Sequence, residues 1–144
     1  MPLVANSALP TFERLRREGE LVVPGDAALH QDIRELHIGL LNMMPDAALA
    51  ATERQFFRLI GESNQIAQFY MHPFTLDALQ RGPEGRAHVE KYYESFDQIK
   101  ALGLDALIIS GANVTQPDLA KEPFWEPLIE VIDWAYANVT STIC

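Results

Sequence analysis

The 144-residue sequence contains a single cysteine, Cys144. One cysteine excludes an internal disulfide and a metal site built from several thiolates. No apolar run approaches the ~20 residues that span a bilayer. The first residues lack the basic region and the apolar core of a secretory signal. These absences predict a cytoplasmic protein.

Basic residues are few, with 11 against 20 acidic residues and a formal net charge of −9. This balance disfavours nucleic acids and anionic membranes as partners. The glycine pattern of a dinucleotide site is absent, as is the Gly-Lys pair of a phosphate-binding loop. None of the four histidines has the spacing of a metal-binding pair. We therefore expect no bound metal.

Apolar strands that alternate with helices are what the sequence does contain. Continuous apolar runs at 36–41 and 106–109 predict strands covered on both faces. Weaker strands are predicted at 65–71 and from 139. Helices are predicted at 46–60, with Asp46 as cap and Gly61 as end, at 88–102 with a break near 96–97, and before 138. The pattern predicts an α/β fold with a parallel sheet and helices on both faces.

Within this fold we expect the strands at 36–41 and 106–109 to be central, adjacent and parallel. Residues 1–35 are interpreted as a polar leader with one short helix capped by Thr11, and residues 36–144 as the N-terminal part of one α/β domain. The β-branched run at 139–143 reaches the last residue without a closing Gly, Pro or charge. We therefore expect this chain to be the front part of a longer protein.

Two loops at strand ends are candidates for chemistry, because ligands of open α/β sheets bind there. Ser110-Gly111-Ala112-Asn113 follows a buried strand, and its N–H groups could stabilise an oxyanion. Spacing alone favours an ordinary strand-to-loop glycine. Asn42, followed by Met43-Met44-Pro45, ends the earlier strand. It could orient a ligand, although bonding to local backbone is the favoured interpretation.

The remaining polar candidates are interpreted as structural. Glu53 is assigned to a solvated helix face, His37 to a partly exposed edge, and His30 and His72 to loops. His88 is expected to begin a helix. Cys144 could be a nucleophile, but its position inside a strand favours a small buried apolar role.

Short motifs in the same order along the chain resemble the homoserine O-acyltransferase family. They are Leu9-Pro10 with Leu15-Arg16 and Glu18, Ile33-Arg34 with Leu36, Leu41-Asn42 with Met44-Pro45, Thr52-Glu53 with Gln55-Phe56, His88 with Tyr93, Leu107-Ile108 with Gly111-Ala112, and Trp134 with Val139-Thr140-Ser141-Thr142. The resemblance implies a flavodoxin-like fold similar to class I glutamine amidotransferases. It also implies a homodimer.

The resemblance further implies transfer of an acyl group from acyl-CoA, a co-substrate and not a bound cofactor, to a cysteine and then to the homoserine hydroxyl, in methionine biosynthesis. The family nucleophile lies four residues after the last Thr of Val-Thr-Ser-Thr. Thr142 is that residue here, so the nucleophile is expected two residues beyond Cys144, with its His and Glu further on. Residues 111–114, namely Gly111, Ala112, Asn113 and Val114, then correspond to the oxyanion and substrate loop. Asn42 and Met44 correspond to a possible second substrate loop.

Three departures from the family pattern concern the substrate. Asp46-Ala47 replaces a lysine pair that many members have, and Asn113 replaces a proline. The position that helps set acyl choice, usually Gly for succinyl and Glu for acetyl, corresponds to Thr115. Both donors stay open, with succinyl-CoA favoured, and the acceptor is homoserine or serine. An amidotransferase or hydrolase of the same fold and a non-catalytic binding module are the alternatives.

Overall fold

A computed structural model describes residues 3–28 and 34–144. The elements are β1 (Leu3–Ala5), α1 (Pro10–Arg17), β2 (Val22–Pro24), α2 (Gly25–Ala28), β3 (Glu35–Leu41), α3 (Asp46–Ser63), β4 (Gln68–Phe74), α4 (Pro83–Tyr92), α5 (Phe96–Leu102), β5 (Ala106–Ile109), a 3-10 turn (Leu119–Lys121), α6 (Trp125–Asn138) and β6 (Ser141–Ile143). Within the described ranges, no helix is long and apolar enough to cross a membrane.

The strands form one parallel sheet in the order β2-β1-β4-β3-β5-β6. β3 pairs with β4 on one side and with β5 on the other, where Gly39 lies opposite Leu107. The prediction that residues 36–41 and 106–109 are adjacent, parallel and internal is confirmed. The order β4-β3-β5-β6 is the 2-1-3-4 order of flavodoxin-like sheets, so the strand order reverses between β3 and β5, although all strands stay parallel.

Helices cover both faces of the sheet, as predicted. On one face, Phe12 of α1 and Phe57 of α3 belong to the cluster that contains Ile38 and Leu40. On the other face, Ile99 of α5 and the buried residues of α6 join Leu41, Phe74 and Leu107. Burial of each such side chain contributes roughly 1.5–3 kcal/mol. The two clusters pack against β3 and β5 from both faces and so position the loops at the ends of these strands.

The segment predicted as a polar leader contributes two strands to the sheet. β1 and β2 pair with each other, and β1 extends the sheet beyond β4. The predicted helix is present as α1, but Leu9 precedes it and Thr11 does not cap it. Runs of three apolar residues are too short to be distinguished from core residues of a loop by periodicity. His30 and Ile33 lie outside the described residues.

Several predicted boundaries are wrong. α3 continues through Gly61 to Ser63, and Asp46 is its first helical residue instead of its cap. β4 spans Gln68–Phe74, so His72 lies in a strand and not in a loop. α4 begins at Pro83, well before His88, because proline suits the first turn of a helix. The predicted interruption of the following helix is confirmed, since α4 and α5 are separate.

Two further residues lie elsewhere than predicted. His37 belongs to β3, an internal strand, so its assignment to a sheet edge is wrong. Cys144 follows β6 and is exposed, where a buried position inside the strand was expected. The whole of β6 is exposed, because among the described residues it pairs with β5 alone.

Candidate functional site

The two candidate loops meet at the carboxyl ends of β3 and β5. The backbone N–H of Met43 donates to the Ser110 Oγ at 2.7 Å, and the N–H of Ser110 donates to the Leu41 carbonyl at 3.0 Å. A Cβ atom placed on Gly111 would lie 3.8 Å from the Met44 Sδ. The strand order reverses at this point of the sheet, and ligands of open α/β sheets bind at such points.

A cavity of about 290 Å³ opens between these loops. Its wall combines residues that follow β3, residues that follow β4 and residues that follow β5. The lining consists of Met43, Met44, Pro45, Ala78, Leu79, Gln80, Arg81, Asn113, Thr115, Glu122, Pro123 and Phe124. Three of the candidate positions, Met44, Asn113 and Thr115, therefore line a single cavity.

The loop at 111–114 offers free hydrogen-bond donors. Among the described residues, no acceptor bonds the backbone N–H of Gly111, Ala112, Asn113 or Val114. Gly111 does not have a positive φ, since Gly19 and Gly103 are the glycines that do in the described ranges. The backbone therefore does not require glycine at 111, and the free N–H groups are what make the loop a candidate anion site.

A buried guanidinium holds the loop that follows β3. The side chain of Arg81 is 6% exposed and donates to the carbonyls of Asn42 at 3.1 Å and Met44 at 2.8 Å. It also donates to the Thr75 Oγ1 at 2.9 Å and pairs with Asp46 at 3.3 Å. The five donors of a guanidinium in one plane suit this bridging of several oxygens. Arg81 thus fixes the wall of the cavity formed by Met44.

A buried carboxylate holds the loop that follows β5. Glu122 Oε1 accepts the backbone N–H of Thr115 and, at 2.7 Å, that of Gln116. Both carboxylate oxygens also lie 3.3 Å from the Thr115 Oγ1. Hydrogen bonds from backbone N–H groups stabilise a buried carboxylate. The opposite wall of the cavity is therefore fixed by Glu122.

A second buried carboxylate, Glu53, lies behind the β3 loop. It is fully buried and accepts hydrogen bonds from the Thr11 Oγ1 at 2.7 Å and from the Tyr93 hydroxyl. The His88 Nε2 lies 2.8 Å from the Glu53 Oε1, the oxygen that also accepts from Tyr93, while Thr11 donates to Oε2. Burial, with the adjacent Glu53, raises the pKa of Tyr93 well above its usual value, so the phenol stays a donor. The assignment of Glu53 to a solvated helix face is wrong.

Asn42 connects this network to the site. Its side-chain amide donates to the Leu49 carbonyl at 3.1 Å and to the Tyr93 hydroxyl at 3.0 Å. Its Oδ1 accepts the N–H of Met44 at 3.3 Å. Asn42 is fully buried and does not line the cavity, in agreement with the interpretation that it bonds local backbone.

Sequence reasoning did not single out Arg81 or Glu122. The sequence around each of them does not indicate which loop its side chain contacts. Arg81, for example, donates to the carbonyl of Asn42, which lies 39 residues earlier in the chain. The sequence gives one indication for Glu122, because this charged residue stands between a loop with several prolines and an apolar helix.

His37 and His72 form a separate pair in the sheet. The His37 Nδ1 lies 2.8 Å from the His72 Nε2, and Glu94 lies at the other ring nitrogen of His72.

Comparison with known proteins decides the family. The family model described as homoserine O-succinyltransferase matches residues 2–144. The chain belongs to the homoserine O-succinyltransferase family. Proteins named homoserine O-succinyltransferase are 80% identical in Allochromatium vinosum, 69% in Thiobacillus denitrificans and 53% in Cardiobacterium hominis, each over the whole of this chain. The chain spans 40–41% of the length of these relatives.

The family assignment agrees with the resemblance seen in the motifs. Both the motifs and the model extend over nearly all of the chain. Two of the motifs of this homoserine O-succinyltransferase family member, Leu41-Asn42 with Met44-Pro45 and Leu107-Ile108 with Gly111-Ala112, extend into the two loops at the reversal point, and the network of Glu53 supports the first of these loops through Asn42. The fold and the family together direct attention to the cavity between Arg81 and Glu122.

Proposed function

We propose that this chain is the front part of an enzyme that transfers a succinyl group from succinyl-CoA to the hydroxyl of L-homoserine, a step of methionine biosynthesis. The observation that supports it is the cavity at the reversal point of the sheet, beside four backbone N–H groups that no described acceptor bonds, in a chain of this family. The names of the relatives favour the succinyl donor over acetyl. The proposal includes a homodimer in the cytoplasm.

The proposed reaction has two acyl transfers. A cysteine thiolate attacks the thioester carbonyl carbon of the donor, and the CoA thiolate leaves. The homoserine hydroxyl then attacks the new thioester, loses its proton to a base, and releases the cysteine. The nucleophile is proposed two residues beyond Cys144, with a His and a Glu later in the chain, and this part of the reaction rests on the resemblance.

The described residues would bind and orient the acyl group. Each transfer passes through a tetrahedral intermediate whose carbonyl oxygen is negative. The N–H groups of residues 111–114 would donate to that oxygen. Loss of one such donor typically costs 10²–10³-fold in rate. Met44, Asn113 and Thr115 would then surround the acyl chain inside the cavity.

The test uses a protein of the relatives' full length that begins with this chain. It is incubated with succinyl-CoA or acetyl-CoA, and with homoserine or serine. We expect thiol release that depends on homoserine, formation of O-succinylhomoserine, and a covalent acyl-enzyme trapped when the acceptor is omitted. Thioester hydrolysis without an acylated amino acid would indicate a hydrolase. In a separate incubation with glutamine, ammonia release would indicate an amidotransferase. If neither the thioesters nor glutamine is consumed, the result would indicate a non-catalytic binding module.

A further inference from the structure

Glu122 places a negative charge beside the residue that corresponds to the acyl-choice position. Its carboxylate bonds the N–H of Thr115 and approaches the Thr115 hydroxyl at 3.3 Å. Both residues line the same cavity, and Glu122 is only 5% exposed. Thr115 is itself uncharged, yet the wall that it forms contains a carboxylate supplied from seven residues further along the chain.

No cation neutralises this carboxylate within residues 3–28 and 34–144, since none of the ion pairs there involves Glu122. Arg81, the basic residue in the described lining, pairs with Asp46. Backbone N–H groups solvate the Glu122 charge but do not remove it. Charges in a partly dry cavity interact much more strongly than in water. The Glu122 charge therefore acts on whatever occupies the cavity.

We propose that Glu122 sets the preference of this site between acyl groups according to the charge at their free end. The proposal rests on the proposed function, in which the cavity takes the acyl chain. A succinyl group ends in a carboxylate and an acetyl group ends in a methyl. The Glu122 charge opposes the first and leaves the second unaffected. It therefore limits the preference for succinyl that an uncharged Thr115 would otherwise give.

Two substitutions separate the charge from the hydrogen bonds. Glu122→Gln keeps an Oε1 that accepts the N–H groups of Thr115 and Gln116, so the loop stays in place while the charge is lost. Glu122→Ala removes both. Glu126→Gln makes the same chemical change at an exposed residue four positions away, outside the cavity lining, and serves as the control.

The measurement is kcat/KM for succinyl-CoA and for acetyl-CoA in the full-length protein. We expect Glu122→Gln to raise the succinyl-to-acetyl ratio about tenfold, the size of a 1.4 kcal/mol change in one barrier. Glu122→Ala should lower kcat/KM for both donors, because the loop is released. Glu126→Gln should leave both values unchanged. An unchanged ratio in Glu122→Gln overturns the inference and leaves the proposed function intact.

A binding measurement keeps the two proposals distinguishable. Dissociation constants of the unreactive amide analogues of succinyl-CoA and acetyl-CoA are measured by calorimetry in the same variants. If the wild type turns over neither thioester, the proposed function fails, and the ratio of the dissociation constants still decides the role of Glu122. Equal ratios in wild type and Glu122→Gln, or no binding of either analogue, overturn the inference.

Discussion

Single buried charges determine the shape of the candidate site. Arg81 and Glu122 have opposite charges, and each bonds the backbone of one loop, so the cavity between the loops is defined from both sides. Buried charges of this kind are stabilised when their hydrogen-bonding capacity is used. The apolar parts of the wall, among them Met43 and Phe124, fill the space between them.

The Thr115→Glu substitution tests the position of the acyl chain at this scale. Two like charges ~4 Å apart at an effective dielectric near 20 repel by about 4 kcal/mol before relaxation. We expect the preference to move from succinyl-CoA towards acetyl-CoA at least about tenfold, which corresponds to 1.4 kcal/mol. The measurement is kcat/KM for both donors in the full-length protein. Thr115→Gln adds the same bulk without charge, and a shift of equal size in that variant would attribute the effect to bulk.

Glu53 is expected to be important for stability. Glu53→Ala leaves the Thr11 hydroxyl, the Tyr93 hydroxyl and His88 without their acceptor, and each unsatisfied buried group costs about 1–3 kcal/mol. We expect a loss of roughly 3 kcal/mol or more in the free energy of unfolding, measured by urea denaturation. Glu53→Gln retains one acceptor oxygen, so its free energy of unfolding should fall less than that of Glu53→Ala. Glu62→Ala, on the exposed surface of α3, should stay within about 0.5 kcal/mol.

At the scale of elements, the packing of β3 against the segment before β5 depends on a glycine. A Cβ on Gly39 would lie 2.5 Å from the Leu104 Cδ1 and 3.2 Å from the Leu107 Cδ1. Both contacts are with side-chain ends on the face covered by α5 and α6. Because the β3 loop and the β5 loop follow these strands directly, a shift here would change the width of the cavity.

We therefore expect Gly39→Ala to destabilise the protein by about 1–3 kcal/mol through overpacking. Equilibrium denaturation with an unchanged m-value gives the free energy. Leu104→Ala removes the closest contact of the new Cβ. The loss in free energy of unfolding of the Gly39→Ala, Leu104→Ala double mutant should therefore be smaller than the sum of the losses of the two single mutants. Additive losses would contradict the steric explanation. Gly111→Ala is the matched control for stability, since its Cβ position has Met44 at 3.8 Å.

At the scale of the whole molecule, β6 forms an exposed edge of the sheet in the part of the chain that the structure describes. β6 is exposed throughout, and Ile143 at its end is 68% exposed. An exposed strand edge with apolar residues favours association between chains. The relatives are about two and a half times as long, since the chain spans 40% of them.

The first whole-molecule prediction concerns association of the 144-residue chain by itself. We expect its weight-average mass in sedimentation velocity to rise with concentration. Ile143→Lys should reduce the association, because a lysine on an edge strand opposes pairing. Ile132→Lys, on the partly exposed surface of α6, is the control. A chain that remains monomeric at every concentration would contradict the prediction.

The second concerns activity of the same 144-residue chain. Attack on a thioester requires an activated nucleophile, and the proposed one lies beyond Cys144. We expect no turnover of succinyl-CoA or acetyl-CoA. The measurement is the release of the CoA thiol over time. Turnover that disappears in Cys144→Ala would mean that the nucleophile is Cys144 and that the register of the family motif is misplaced by two residues.

The sequence by itself determined the central strands of the sheet and the two candidate loops that follow them. The apolar runs at 36–41 and 106–109 are continuous because both faces of those strands are covered, and this is a local property of the chain. The ends of these runs mark the ends of the two strands, so the positions of the loops around Met44 and Gly111 could be predicted. Family motifs in the right order added the reaction to be tested. The short strands β1 and β2 were not predicted, because three residues are too few to show the alternation of apolar and polar residues that indicates a strand.

The tertiary structure alone decided which polar residues are buried. Glu53 stands among Arg54 and Arg58 in the sequence, which is typical of a solvated face, and its burial depends on Thr11, His88 and Tyr93 from distant segments. The same holds for Arg81, which donates to backbone carbonyls of Met44 and Asn42 in another loop, whereas Glu122 accepts from backbone N–H groups of its own connection between β5 and α6. A hydrogen bond between segments 35 to 42 residues apart leaves no periodic pattern, so the packing of distant segments against one sheet, and not local sequence, brings these groups together.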